Sequence, residues 1–225
     1  MTTILITGVS RGIGRAMAQE ALARGHEVFG TARSDGDFGD LAGRDGFTPL
    51  VLDVTNRDGL AKAAGVLGQP VDILINNAGI MGPKGSALSL DDMDGFLQTL
   101  QVNTLGPLMV TQAFLPALCE SERGRVLIVS SQMGSMHYAK ADNIAYRSSK
   151  TAVNKIGQAL ATELHDDGIA VANLHPGWVR TDMGGSSADI SPEESAKGIL
   201  DLAEALTIDK TGRFWNWDGS ERESW

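Results

Sequence analysis

Short apolar runs alternate with amphipathic stretches along this chain. Thr3-Ile4-Leu5-Ile6 is apolar and β-branched with no polar alternation, the pattern of a strand buried on both faces. Apolar positions then recur at helical spacing, at Ile13, Met17 and Ala21, and Gly25 follows as a stop. Further strands are predicted over 27–31, 47–52, 71–75, 125–129 and 169–174, and helices over 57–67 and 145–165. Residues 90–119 read as two successive helices or one bent one, with Pro107 and Pro116 as irregularities. Ser191-Pro192-Glu193-Glu194 predicts an N-cap with an acid three residues on, opening a helix to about Leu206. Arg213 to Trp217 offers a last strand, and the Gly/Asp-rich stretch Ser34–Gly46 reads as an irregular, exposed loop. Strand–helix alternation without repeats or linkers predicts an α/β fold: one domain over residues 1–225, a doubly wound parallel sheet in three αβα layers.

In such a sheet the ligand lies across the carboxyl ends of the strands, so the residues after each strand carry the chemistry. After the first come Gly8, Gly12 and Gly14, spaced GxxxGxG. Strand, glycine turn and helix in that order form an anion site, because backbone approaches a phosphate closely and the helix N-terminus faces it. After the second strand there is no acid at Thr31 or Ala32; Arg33 stands there instead, with Arg11 in the glycine turn as a second cation. An acid would suit the ribose hydroxyls of NAD and an arginine the 2′-phosphate of NADP, so NADP(H) is expected over NAD. Asp53 follows the third strand, placed to accept from an adenine amino group or to cap the next helix. Asn76-Asn77-Ala78-Gly79 follows the fourth, where small and amide residues admit a flat ligand and tie neighbouring turns together. Ser130-Ser131 follows the fifth. Tyr146 and Lys150 are four apart and share one helix face. An ammonium beside a phenol stabilises phenolate, lowering a pKa that is about 10 when unperturbed and making the tyrosine a usable acid or base.

Composition narrows the partners. A net charge of −9 and a pI near 4.9 argue against a general nucleic-acid or anionic-membrane surface. No apolar run reads as long enough to cross a bilayer, and the chain enters its first strand directly, without a leader. The single cysteine, Cys119, cannot close an internal disulfide, reads as a buried helix residue, and suits a reducing, cytoplasmic setting. His137 and His175 have no partner set that suggests a metal.

The ordered set TGVSRGIG at 7–14, Asp53-Val54, NNAG at 76–79, Asn103, the Ser131 segment, YRSSK at 146–150 and PGWVRT at 176–181 resembles the short-chain dehydrogenase/reductase superfamily. The resemblance implies a Rossmann-type fold binding NADP(H), and hydride transfer between nicotinamide and a small carbonyl or alcohol substrate. It implies a catalytic tetrad of Asn103, Ser131, Tyr146 and Lys150. Tyr146 would move the proton, Ser131 orient the carbonyl oxygen, Lys150 tune Tyr146 and bind the nicotinamide ribose, and Asn103 hold a water behind Lys150. Cofactor contacts would come from Gly8, Ser10, Arg11, Gly12, Ile13 and Gly14 in the glycine turn. Arg33, Asp53 and Val54 would line the adenosine side, with Asn77, Ala78 and Gly79 nearby. Pro176, Gly177, Val179 and Thr181 would border the nicotinamide, together with Tyr146 and Lys150. Short length and the ending GRFWNWDGSERESW resemble the small C-factor/sniffer-type carbonyl reductase group. The family also implies a homodimer or homotetramer. A cofactor-binding signalling or regulatory protein with little catalysis is the alternative. The Gly/Ser-rich segment Asp182–Ile190 would leave the site open to varied carbonyl compounds. Tyr138, whose i+4 neighbour is Asp142, is no substitute for Tyr146.

Overall fold

A computed structural model describes residues 1–223 and 225. Its strands are β1 (Thr3–Thr7), β2 (Glu27–Ala32), β3 (Phe47–Val51), β4 (Ile73–Asn76), β5 (Arg125–Val129), β6 (Ala170–His175) and β7 (Phe214–Asn216). They form one sheet in the order β3-β2-β1-β4-β5-β6-β7, each neighbouring pair parallel. The order turns back between β1 and β4, which places the ligand crevice at their carboxyl ends.

Period-two alternation divides the core into two apolar layers. Ile4, Ile6, Val28, Ile73, Ile75 and Leu127 face one layer, closed by α1 (Gly12–Ala23) and α6 (Pro192–Ala205). Leu5, Phe29, Leu74, Val126 and Ile128 face the other. That layer is closed by α2 (Arg57–Leu67), α4 (Gly106–Cys119) and α5 (Ile144–Glu163). Each such side chain removed from water contributes about 1.5–3 kcal/mol, the main term holding the layers together.

Several sequence expectations change in detail. The stretch 34–46 is not simply exposed: residues Asp35–Gly43 form 3₁₀ turns, and Phe38 and Leu41 are buried against the α1 side of the sheet. Two apolar residues three apart suffice to dock a polar loop. Residues 90–119 become one continuous helical run, α3 (Met93–Leu100), a π-turn (Gln101–Leu105) and α4. The irregularity precedes Pro107, which has no N–H to give the preceding turn. This run of 27 residues contains an 18-residue window of mean hydropathy 1.2, long and apolar enough to cross a membrane, contrary to expectation. Here Val110, Phe114 and Leu118 pack into the core. Cys119 is exposed rather than buried. It lies one residue, about 100° of helix, beyond the inward face of Val110, Phe114 and Leu118.

The cap of α6 has the expected form. Ser191 Oγ accepts from Glu194 N at 3.1 Å, and a Glu194 carboxylate oxygen accepts from Ser191 N at 2.7 Å. That backbone bond holds the Glu194 carboxyl below its usual range. Ser191→Ala is expected to cost about 1 kcal/mol in urea unfolding with an unchanged m-value.

Candidate active site

The glycine turn between β1 and α1 is an open cradle. Gly8 and Gly12 take positive φ (76° and 57°), and a Cβ on Gly14 would overlap Gly8 O. Among the described residues no side chain caps the N-terminus of α1, and its first turn holds no acid. Its N–H groups are therefore left for an outside acceptor. Ser10 and Ile13 lie within this turn, half-buried. Asn77 joins the turn after β4 to the cradle: its Nδ2 donates to Thr7 O at 2.9 Å and Gly8 O at 3.2 Å. Thr7 Oγ1 accepts from the backbone N–H of both Asn77 and Ala78, each at 3.0 Å. Thr7 is thus a hub that motif reading passed over, although it opens the TGVSRGIG run.

The adenosine side is less committed. Arg33 is exposed at the end of β2 and has no ion-pair partner among the described residues. Its charge, with two bonds from Thr55 that act more strongly, lowers the Asp53 carboxyl below its usual range. Those bonds, from Thr55 N at 2.8 Å and Thr55 Oγ1 at 2.6 Å, both go to Asp53 Oδ1, so the carboxylate already braces a turn. Val54 is buried beside it. Arg11 pairs with Asp182 at 2.9 Å, both side chains being 76% exposed, which draws the 182–190 segment toward the glycine turn. Thr181 sits there too: a Cβ on Gly12 would come within 3.3 Å of its Cγ2. Val179 is buried and bridges to Ile190; Pro176 O accepts from Ser195 Oγ at 2.6 Å, and Gly177 takes φ 89°.

At the end of β5 the chemical groups meet. Lys150, 5% exposed, donates from Nζ to Val129 O at 2.8 Å. Its Nζ stands 5.6 Å from the centroid of the Tyr146 ring, itself 8% exposed. Burial pushes the Tyr146 phenol up to about 12, partly opposed by the Ser131 hydroxyl, and pushes Lys150 down to about 8. This corrects the expectation of an acidified phenol. Desolvation disfavours phenolate and ammonium alike, and the ammonium is already engaged by a carbonyl.

Asn103 lies in the π-turn. Its Oδ1 accepts from Ile80 N and its Nδ2 donates to Ile80 O, both at 2.8 Å, and Nδ2 also reaches Ser149 Oγ at 3.0 Å. The amide is therefore a clamp on the loop after β4. A Cβ on Gly79 would lie 3.2 Å from Asn103 Oδ1 and 3.7 Å from Lys150 Nζ, so only glycine leaves this corner clear. Tyr138 stands apart: Arg222 Nη2 donates to its hydroxyl at 3.3 Å, while Asp142 pairs with Arg147 at 2.9 Å. A separate groove, lined by Lys197, Asp201, Trp215 and Trp217, holds none of the predicted site residues.

Comparison with known proteins gives the same pattern. The short chain dehydrogenase family matches residues 2–190. The C-signal protein of Myxococcus xanthus is 42% identical over 163 residues, 72% of this chain and 97% of that protein. The NADPH-bound carbonyl reductase from chicken fatty liver superposes with a TM-score of 0.91 at 30% identity, covering 99% of this chain and 98% of its own. The carbonyl reductase Sniffer of D. melanogaster superposes with a TM-score of 0.92 at 31% identity, covering 98% of each chain.

Burial of Lys150 has a consequence for stability. Below pH 8 both folded and unfolded chains hold its proton, and the folded chain carries the full desolvation penalty. Between about 8 and the ordinary 10.5 the folded chain releases the proton first, so stability rises with pH. The wild type is expected to gain roughly 2 kcal/mol relative to Lys150→Met between pH 8 and 10 in denaturant titrations. A parallel pH dependence in the two proteins would contradict it.

Proposed function

This chain belongs to the short-chain dehydrogenase family, and from that premise we propose that it is an NADP(H)-dependent carbonyl reductase with Tyr146 as its acid. The observation that carries this reading is Lys150 Nζ standing 5.6 Å from the Tyr146 ring and donating to Val129 O at the end of β5, with Ser131 two residues beyond that carbonyl. The cradle at Gly8–Gly14 fits a pyrophosphate, and the exposed guanidinium of Arg33 fits a 2′-phosphate. NADPH in the chicken carbonyl reductase supports the same choice. Bound there, the dinucleotide supplies the hydride.

This chain's own residues supply the rest. Ser131 donates a hydrogen bond to the substrate carbonyl oxygen and orients it. Tyr146 gives its proton to that oxygen as the carbonyl carbon gains hydride, leaving an alcohol and a phenolate. Lys150, largely protonated at neutral pH, stabilises that phenolate. A phenol held near 12 keeps its proton at pH 7 and so rests in the form that can donate it. Asn103 keeps the Ile80 loop clear of the corner where Gly79 faces Lys150.

Likeness to the C-signal protein favours a second reading, a cofactor-binding signalling protein in which turnover is secondary. The two separate on one substitution. Tyr146→Phe is expected to lower kcat by about 10²–10⁴-fold across aldehydes, ketones and quinones while leaving NADPH affinity nearly intact. Wild-type turnover in that variant would refute the assignment, and a wild type inactive on the whole panel would favour the signalling reading. Arg33→Ala is expected to weaken NADPH binding about tenfold, the worth of one charge-assisted contact, with NADH binding unmoved. Equal affinity of the wild type for both cofactors would remove the NADP preference.

A further inference from the structure

Val129 and Ser130, at the end of β5, both engage α5. Val129 O accepts from Lys150 Nζ at 2.8 Å. Ser130 Oγ lies 2.5 Å from Asn154 Oδ1 and 3.4 Å from Lys150 O, and its single proton goes to the nearer acceptor. Ser131 caps the turn that follows, its Oγ accepting from Met133 N at 3.1 Å, and its hydroxyl partly offsets the effect of burial on the Tyr146 phenol. Gly134 comes so close that a Cβ would lie 2.6 Å from the carbonyl carbon of Lys150.

Asn154 is central to this joint. It is 4% exposed and follows Lys150 by one turn, so Tyr146, Lys150 and Asn154 descend one face of α5. Its side chain is bound to the end of β5, and its carbonyl accepts from Asn173 Nδ2 of β6 at 3.1 Å. The helix is thus tied to two adjacent strands at one point. Gly157 allows the approach: a Cβ there would sit 2.6 Å from Asn173 Cγ. The arrangement leaves Asn154 Nδ2 and Asn173 Oδ1 buried and unpaired among the described residues. A joint selected for packing alone would use apolar side chains here, since unpaired buried polar atoms cost stability.

We propose that Ser130 and Asn154 are positioning residues: their bond sets the height of α5 against the end of β5 and so holds Tyr146 and Lys150 in line with Ser131. Neither touches substrate or cofactor in this account. The inference rests on the carbonyl-reductase reading for its effect on rate, but its effect on Tyr146 is independent of any substrate.

Both effects are measurable in the full chain. Asn154→Ala and Ser130→Ala are each expected to lower kcat about 10- to 100-fold with the KM for NADPH within twofold, the cost of a displaced proton donor. The double variant is expected to be no slower than the slower single one, because both remove the same bond. Ser130→Thr, which keeps the hydroxyl, restores most of the rate. The chain holds two tyrosines, so ring-carbon NMR of carbon-13 tyrosine gives two signals, and Tyr146→Phe identifies one. In Asn154→Ala the Tyr146 signal is expected to shift and to titrate at lower pH, with Tyr138 unmoved. If Asn154→Ala does not fold, Ser130→Ala carries both measurements. A folded variant with wild-type kcat and an unmoved Tyr146 signal overturns the proposal. So does a loss of kcat that tracks melting temperature while the signal stays in place. A wild type that reduces no carbonyl compound, but whose Tyr146 signal moves on Asn154→Ala, sinks the carbonyl-reductase reading and leaves the positioning role standing.

Discussion

A lysine ammonium withdrawn from water at the end of β5 is the constraint around which this architecture is arranged. Such a charge is costly to bury, and Val129 O meets one of its three donors at 2.8 Å. That carbonyl is free to do so because β5 ends there. The lysine in turn holds its place only because α5 lies close against the strand ends, which Gly134 and Gly157 permit. Tyr146, one turn earlier on the same helix, is then carried to the same spot. Helix spacing, strand termination and close glycine packing therefore act as one device, and the pairing of Tyr146 with Lys150 is a property of their junction.

The cofactor side is organised differently. Around the glycine cradle, backbone groups do most of the holding, and Thr7 and Asn77 act as ties between the ends of β1 and β4. The charged side chains there are exposed, and their pairing, such as Arg11 with Asp182, is worth little in water. The corner at Tyr146 and Lys150, by contrast, is buried and densely bonded.

Much of this was legible in the sequence because it is written in local spacing. The alternating apolar runs gave the strands, and the four-residue interval between Tyr146 and Lys150 put both on one face. The capping pair Ser191 and Glu194 could be read directly. What escaped depends on contacts distant along the chain. Asn103 was identified only through family resemblance, since nothing local distinguishes an amide that clamps Ile80 from one that faces solvent. The bond between Ser130 and Asn154 joins positions 24 residues apart. Cys119 was misplaced because composition named its helix without its phase, and the loop holding Phe38 and Leu41 because its polar majority hid two anchors. The tyrosine's acidity is not legible in the sequence, because spacing reveals a neighbouring charge but not the loss of solvent around both groups.

The π-turn at Gln101–Leu105 makes that dependence concrete. Relative to an unbroken α-helix it spends one additional residue, rotating everything after it by about 100°. Asn103 turns toward Ile80 while Val110, Phe114 and Leu118 still meet the sheet. A chain shortened by one residue here would gain a more regular helix and lose one of those two alignments. Regularity and correct azimuth are therefore in opposition along this segment, and a redesign that scored only helical ideality would straighten the very irregularity that aims the amide.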